Sequence, residues 1–255
     1  FNINGDIMKT KLLTMTSPKI IKGDKLHTDY MSTVMYLSPS DSAGGKTICP
    51  YAKIAQCEEA CLNTAGRGGI FKKGETTNAI QEARKRRTLY FQNNYEDFMT
   101  QLFFEINKFK EKAEGLGKLP CVRLNGTSDI QWEYQELQGR NVFDTFPDII
   151  FYDYTKIPTR NISGIDNYHL TWSYSQANMK YANLFDEANS KGMNIAVVFS
   201  KELPEFYRGL KVIDGDKYDQ RFLDEPNVVV GLKAKGKARK DTSGFVVHNN
   251  LIAVA

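Results

Sequence analysis

The chain has 255 residues, 41% of them hydrophobic and 25% charged, and a formal net charge of +4. That is ample apolar material for one large α/β domain, but no run approaches the roughly 18 consecutive apolar residues needed to span a bilayer. Four cysteines and no secretory apolar segment argue against a disulfide framework and for a reducing, cytoplasmic setting.

Phe1 to Ile7 precede Met8 and are expected to lie ahead of the natural chain, leaving a single domain over 8–255. The first β-rich run is Ser32 to Ser38. It leads into Cys49, Cys57 and Cys61, three of the four cysteines, spaced C-x7-C-x3-C in a stretch rich in glycine that ends at Gly69. Thiolates gathered so closely usually hold a metal, which offsets their repulsion and lowers their pKa. Cys57 and Cys61 stand four apart, so one helical turn places both sulfurs on one face.

Helical patterning covers Asn78 to Glu114, with two helices meeting near Asn94. Its aromatic residues, among them Phe91, Phe98 and Phe103, read as a buried face rather than base-stacking platforms. A strand at Cys121 to Asn125 ends in Asn125-Gly126-Thr127-Ser128-Asp129, and Ser128 or Asp129 can cap a helix over Ile130 to Asn141. The next strand, Asp148 to Tyr154, runs into Asp153-Tyr154-Thr155-Lys156, and the strand His169 to Tyr174 carries Ser173 at its end. A helix over Gln176 to Lys191 stops at Gly192. A strand at Asn194 to Ser200 and a short helix near Lys201 to Gly209 follow. Lys211 to Asp214 is a strand whose exit holds Asp216, Asp219 and Arg221, and Val228 to Lys233 is the last, running into Lys235 and Lys237.

Strands and helices alternating over short connections favour a parallel sheet with right-handed crossovers. Six or seven such units fit most simply into a full or partial (β/α) barrel, with a cysteine-rich cluster loop after the first strand and the site at the strand ends. Polar residues gather there after most of the strands, although turn residues favour these places too.

Three cysteine ligands without a local fourth suit a [4Fe–4S] cluster with one open iron, with Cys49, Cys57 and Cys61 as its ligands. Zinc is the competing metal, with Cys121, His27, His169 or His248 as its fourth ligand. Asp129, Asp153 and Lys156 are the candidate catalytic groups, against a salt bridge bracing a strand end. Asp216, Asp219, Arg221, Lys233 and Lys235 are candidate substrate contacts, against a surface turn. The basic residues between Arg67 and Arg87, and again from Lys233 to Lys240, suit a nucleotide or nucleic acid, or else a solvated face. No nucleophile elbow, P-loop or dinucleotide fingerprint is present.

A first strand, a three-cysteine loop and a partial barrel together resemble the radical S-adenosylmethionine enzymes, whose loop carries C-x3-C-x2-C. That resemblance implies S-adenosylmethionine on the open iron, near Asn125, Gly126, Ser128 and Ser173, with an external reductant. A closer resemblance rests on an ordered set of segments: Cys49-Pro50 to Gly66-Arg67, Val122 to Ile130, Tyr152 to Lys156, Ala196 to Phe199 and Asp214 to Arg221. Together they look like the phage gene 88 protein family, which implies a phage origin and the cytoplasm of a bacterial host. The expected function is an iron–sulfur enzyme acting on a phosphorylated or nucleotide substrate. The competing expectation is a non-catalytic nucleic-acid-binding phage protein with a structural iron–sulfur or zinc site.

Overall fold

The computed structural model describes residues 11–248, so Phe1 to Met8 lie outside the described residues. Its centre is a nine-stranded, mostly parallel sheet. Strand β1 (Leu13–Thr14) lies antiparallel on β2 (Tyr30–Met35), after which β3 (Leu119–Arg123), β4 (Ile150–Thr155), β5 (Tyr168–Ser173) and β6 (Asn194–Phe199) follow in parallel. Next come β9 (Val229–Lys233) and β8 (Leu210–Asp214), both parallel, and β7 (Phe206–Tyr207), antiparallel on β8. Among the described residues β1 and β7 are the two edges, so the sheet is open and the full or partial barrel expected from the sequence is not confirmed. The final strand swap, with β9 inserted between β6 and β8, is what a barrel order would not show.

Alternation along the strands separates two unlike faces. Val122, Phe151, Leu170, Trp172, Ile195 and Val197 point into the main core, where they meet α3 (Tyr95–Glu114) through Phe98, Leu102 and Phe109. α2 (Ala79–Asn93) precedes α3, and the chain breaks between them at Asn94, as its pattern predicts. The short helices α4 (Val142–Thr145), α5 (Met179–Ala182) and α6 (Phe185–Ser190) complete this layer. α6 ends at Lys191, and Gly192 then takes the left-handed conformation (φ 79°) expected of it.

The other face carries Ser32, Arg123, Tyr152, Tyr154 and His169 and is covered by α1 (Pro18–Leu26) and residues 214–224. Ser17 caps α1 by accepting from Ile20 N–H at 3.3 Å.

Two predicted helices are absent. Residues 130–141 hold a 3₁₀ turn at Trp132–Tyr134 and an antiparallel bridge between Leu137 and Arg140, and Asn125 Oδ1 pins the start of the segment by accepting from Ile130 N–H and Trp132 Nε1. Residues 201–209 instead enter the β7–β8 hairpin. Arg208 (φ 49°) and Gly209 (φ 80°) are its two turn residues, both left-handed as a tight hairpin requires.

Candidate metal centre

The loop from β2 to α2 crosses the C-terminal ends of the parallel strands as a lid. Asp129 N–H donates to Ile48 O at 3.0 Å, above β3. Ser175 Oγ, just past β5, donates to Ala55 O at 2.7 Å. Farther along, Thr64 and Ala65 pack against Gly236 beyond β9. Ala60 joins Ala234, Ala238, Phe245 and Val246 in a small apolar cluster of their own. The far side of the lid is tied to α2, where Asn78 caps Ile80 and Gln81 N–H and its amide donates to the carbonyls of Arg67, Gly68 and Ile70.

Cys49, Cys57 and Cys61 all lie on this lid, half-buried and free. Ser40 N–H donates to Cys49 Sγ at 3.2 Å, and Asn63 N–H to Cys61 Sγ at 3.5 Å. Cys57 Sγ donates to Ala52 O at 3.8 Å. Burial pushes all three thiols up, Cys61 to about 11, and the neighbouring sulfurs raise Cys49 and Cys61 further. Turn structure, not a helix, connects Cys57 to Cys61. Among the described residues no group of three histidine, cysteine or carboxylate side chains is arranged to hold a metal ion.

Lys156 lies beneath the lid. Its ammonium donates to Ser173 O at 2.9 Å and Ser173 Oγ at 2.8 Å, and stands 4.5 Å from the centre of the Phe245 ring. Burial lowers its pKa, while Cys57, Asp129 and Cys61 favour its charged form. Lys156 and Ser173, predicted in separate roles, are therefore one hydrogen-bonded unit.

The remaining predicted residues fall into three groups. Asn125 Oδ1 accepts from Ser128 Oγ, Ile130 N–H and Trp132 Nε1, and its amide donates to Ile130 O and Asp153, so its side chain is fully engaged within the turn. Asp153 also accepts from Asn125 N–H and Tyr168 Oη, while burial lifts its carboxyl to about 7. Asp129 accepts from Thr155 Oγ1 and Lys156 N–H, and burial raises its pKa against the charge of Arg160. Gly126 is pressed against β2, where an added Cβ would meet Met35 O and the Tyr36 ring at 2.6 Å each.

Asp216, Lys233 and Lys235 form a second group at the ends of β8 and β9. Asp216 accepts from Lys233 N–H at 3.1 Å and Lys235 Nζ at 2.6 Å. Asp219 and Arg221 form the third, on the opposite face of the sheet. There Asp219 pairs with Lys19 at 2.9 Å and with Arg123 at 3.1 Å. Burial pushes the Asp219 carboxyl up, but the two cations outweigh burial and hold it well below the usual carboxylate range.

Arg123 and the buried pair Arg160–Glu133 were missed in the sequence. A signal existed for Arg123, since an arginine within an apolar strand demands a buried partner.

None of the four candidates for a further sulfur-site ligand faces the lid cysteines. Cys121 is buried on β3 with its thiol donating to Leu119 O. His27 packs on Tyr218, His169 on Phe222, and His248 contacts Asp241 O.

Two clefts flank the sheet. One, of about 700 Å³, opens beside Cys49 and is lined by Ile48, Pro50, Phe91, Asp129 and Tyr134. The other, of about 740 Å³, lies at the N-terminal ends of β5 and β6 among Arg160, His169, Met193 and Phe222. Ligands of open parallel sheets bind outside the C-terminal ends, which selects the first.

Among the described residues no helix is long and apolar enough to cross a membrane. The family described as Gene product 88 matches residues 9–249. No curated protein and no solved structure matches, so the likeness to radical S-adenosylmethionine enzymes finds no support there.

Proposed function

We propose that this chain, which belongs to the Gene product 88 family, holds an iron–sulfur centre at Cys49, Cys57 and Cys61 and acts as an enzyme at the C-terminal ends of its parallel strands. The observation that carries this reading is the lid, which brings three free thiols over the strand ends, two of them, Cys57 and Cys61, within electrostatic reach of the buried Lys156 ammonium. Two of the sulfurs already receive backbone N–H donors, the contacts that stabilise a thiolate and tune a cluster.

Three sulfur ligands leave one coordination position for an incoming molecule, which distinguishes a working centre from a closed structural one. A bound cluster supplies one-electron chemistry there. The chain itself supplies the positive charge of Lys156, the water-excluding lid and the cleft beside Cys49. A chelating molecule such as S-adenosylmethionine is the first ligand to try, with a phosphorylated or nucleotide co-substrate.

The test is anaerobic purification with analysis of iron, sulfide and zinc, and an EPR spectrum of the reduced protein. Iron with acid-labile sulfide is expected, lost in Cys49→Ala, Cys57→Ala and Cys61→Ala and kept in Cys121→Ala. A colourless protein containing zinc, or iron retained in all four variants, would overturn the proposal.

A further inference from the structure

The two basic runs of the sequence meet in the fold. The loop 61–70 is the junction, strapped to α2 on one side by Asn78, Gln81 and Arg84. On its other side Thr64 and Ala65 receive Gly236, which begins the 3₁₀ turn Gly236–Lys240. Arg67, Lys72 and Lys73 therefore lie along the same belt as Lys237, Arg239 and Lys240, and all six are exposed. Lys85 and Arg86 extend the belt along α2.

None of these cations forms an ion pair among the described residues, whereas Lys235 is taken by Asp216. The nearest carboxylate on the second run, Asp241, turns its oxygens to Ser243 Oγ and Val246 N–H and forms no ion pair with these cations among the described residues. Glu75 and Glu82 are the acidic residues between Arg67 and Arg87, too few to balance that run. Like charges concentrated by folding repel one another, so an unneutralised belt is a cost that a polyanion would relieve.

Apolar side chains stand exposed in the middle of the cations. Ile70 is 68% and Phe71 38% exposed, on the segment joining Arg67 to Lys72. A phosphate-binding surface needs no such residues, but unpaired bases stack on an exposed ring between backbone contacts. We infer that this belt binds single-stranded nucleic acid, its phosphates on the two basic runs and its bases against Phe71. The inference does not depend on which metal the lid holds.

Fluorescence anisotropy of a labelled single strand of mixed sequence, and of its duplex, tests this on the purified protein. Affinity should fall steeply between about 50 and about 200 mM salt, because each phosphate contact releases counterions. The triple variant Lys237→Glu, Arg239→Glu, Lys240→Glu should weaken binding at least about tenfold and reduce the salt slope by about 2, at roughly 0.7 per lost contact. Arg67→Glu, Lys72→Glu, Lys73→Glu should do the same, and Phe71→Ala should weaken the single strand at least about fivefold. All seven positions are exposed, so the variants should unfold at the wild-type temperature, which a thermal scan checks. Binding without salt dependence, binding indifferent to reversal of either run, or tighter binding of the duplex would overturn the inference.

Discussion

Asp219 shows how much a single buried charge organises. Its carboxylate lies between Lys19 and Arg123 and is within 3.5 Å of Tyr152 Oη, so it joins α1 to β3 and β4 on the face away from the main core. Asp219→Asn should cost about 3–5 kcal/mol in urea unfolding at pH 7, because it leaves the Arg123 guanidinium buried without a counter-charge. The sign with pH follows from the direction of the shift. The folded pKa lies below the unfolded one, so this stabilisation is complete above pH about 4 and is lost as the pH falls below it. The gap between wild type and variant should therefore narrow on acidification, and a gap constant from pH 7 to pH 2.5 would refute the assignment. Asp153 has the opposite sign. With its carboxyl raised to about 7, its contribution is complete below pH about 4 and is lost as the pH rises toward 7. A charged residue is legible in sequence, but its partner is not: Asp219 was read as a substrate contact because nothing local to it names Arg123 or Lys19.

Among the elements, the lid depends most on one residue, Asn78. Its carbonyl oxygen caps α2 while its amide holds three carbonyls of the cysteine loop. Asn78→Ala should therefore cost about 1–2 kcal/mol as a lost cap. It should also accelerate tryptic cleavage at Lys72 and Lys73, an effect that a cap on an isolated helix would not produce. Unchanged cleavage in the variant would show that the lid is held elsewhere. The strands were the most legible elements. β6 begins at Asn194 and β9 ends at Lys233, as their β-branched runs between turn residues suggest. The segments 130–141 and 201–209 were not legible as what they are. In the first, the Asn125 side chain accepts from Ile130 N–H and from the Trp132 indole and pins the start of the segment, a pairing that helical periodicity does not register. In the second, Arg208-Gly209 is a hairpin turn that lacks the usual asparagine or aspartate signal.

For the molecule as a whole, the near part of the lid shares the main core through Ile48 and Ala55, whereas its far part is held by different interactions, and that makes metal binding testable as a structural event. The sheet and α3 share one extensive core, in which Phe98, Trp132, Phe151 and Trp172 are fully buried. By contrast, the far part of the lid rests on a cluster whose buried members are three alanines, Phe245 and Val246, with Cys57 only packed against it. At about 25 cal/mol per Å² of apolar surface, alanines contribute little, so the lid should open locally at a free energy far below that of global unfolding. A metal bound by Cys49, Cys57 and Cys61 would cross-link positions along this loop and close off that opening. Chelated protein should therefore keep its cooperative core unfolding while trypsin cuts at Lys72 and Lys73 at least about tenfold faster than in metal-loaded protein, which is about 1.4 kcal/mol of lost local stability. Cys57→Ala should be cut at the fast rate with or without metal. Equal cleavage of loaded and chelated wild-type protein would mean that no metal bridges the three cysteines, whatever metal the protein carries elsewhere.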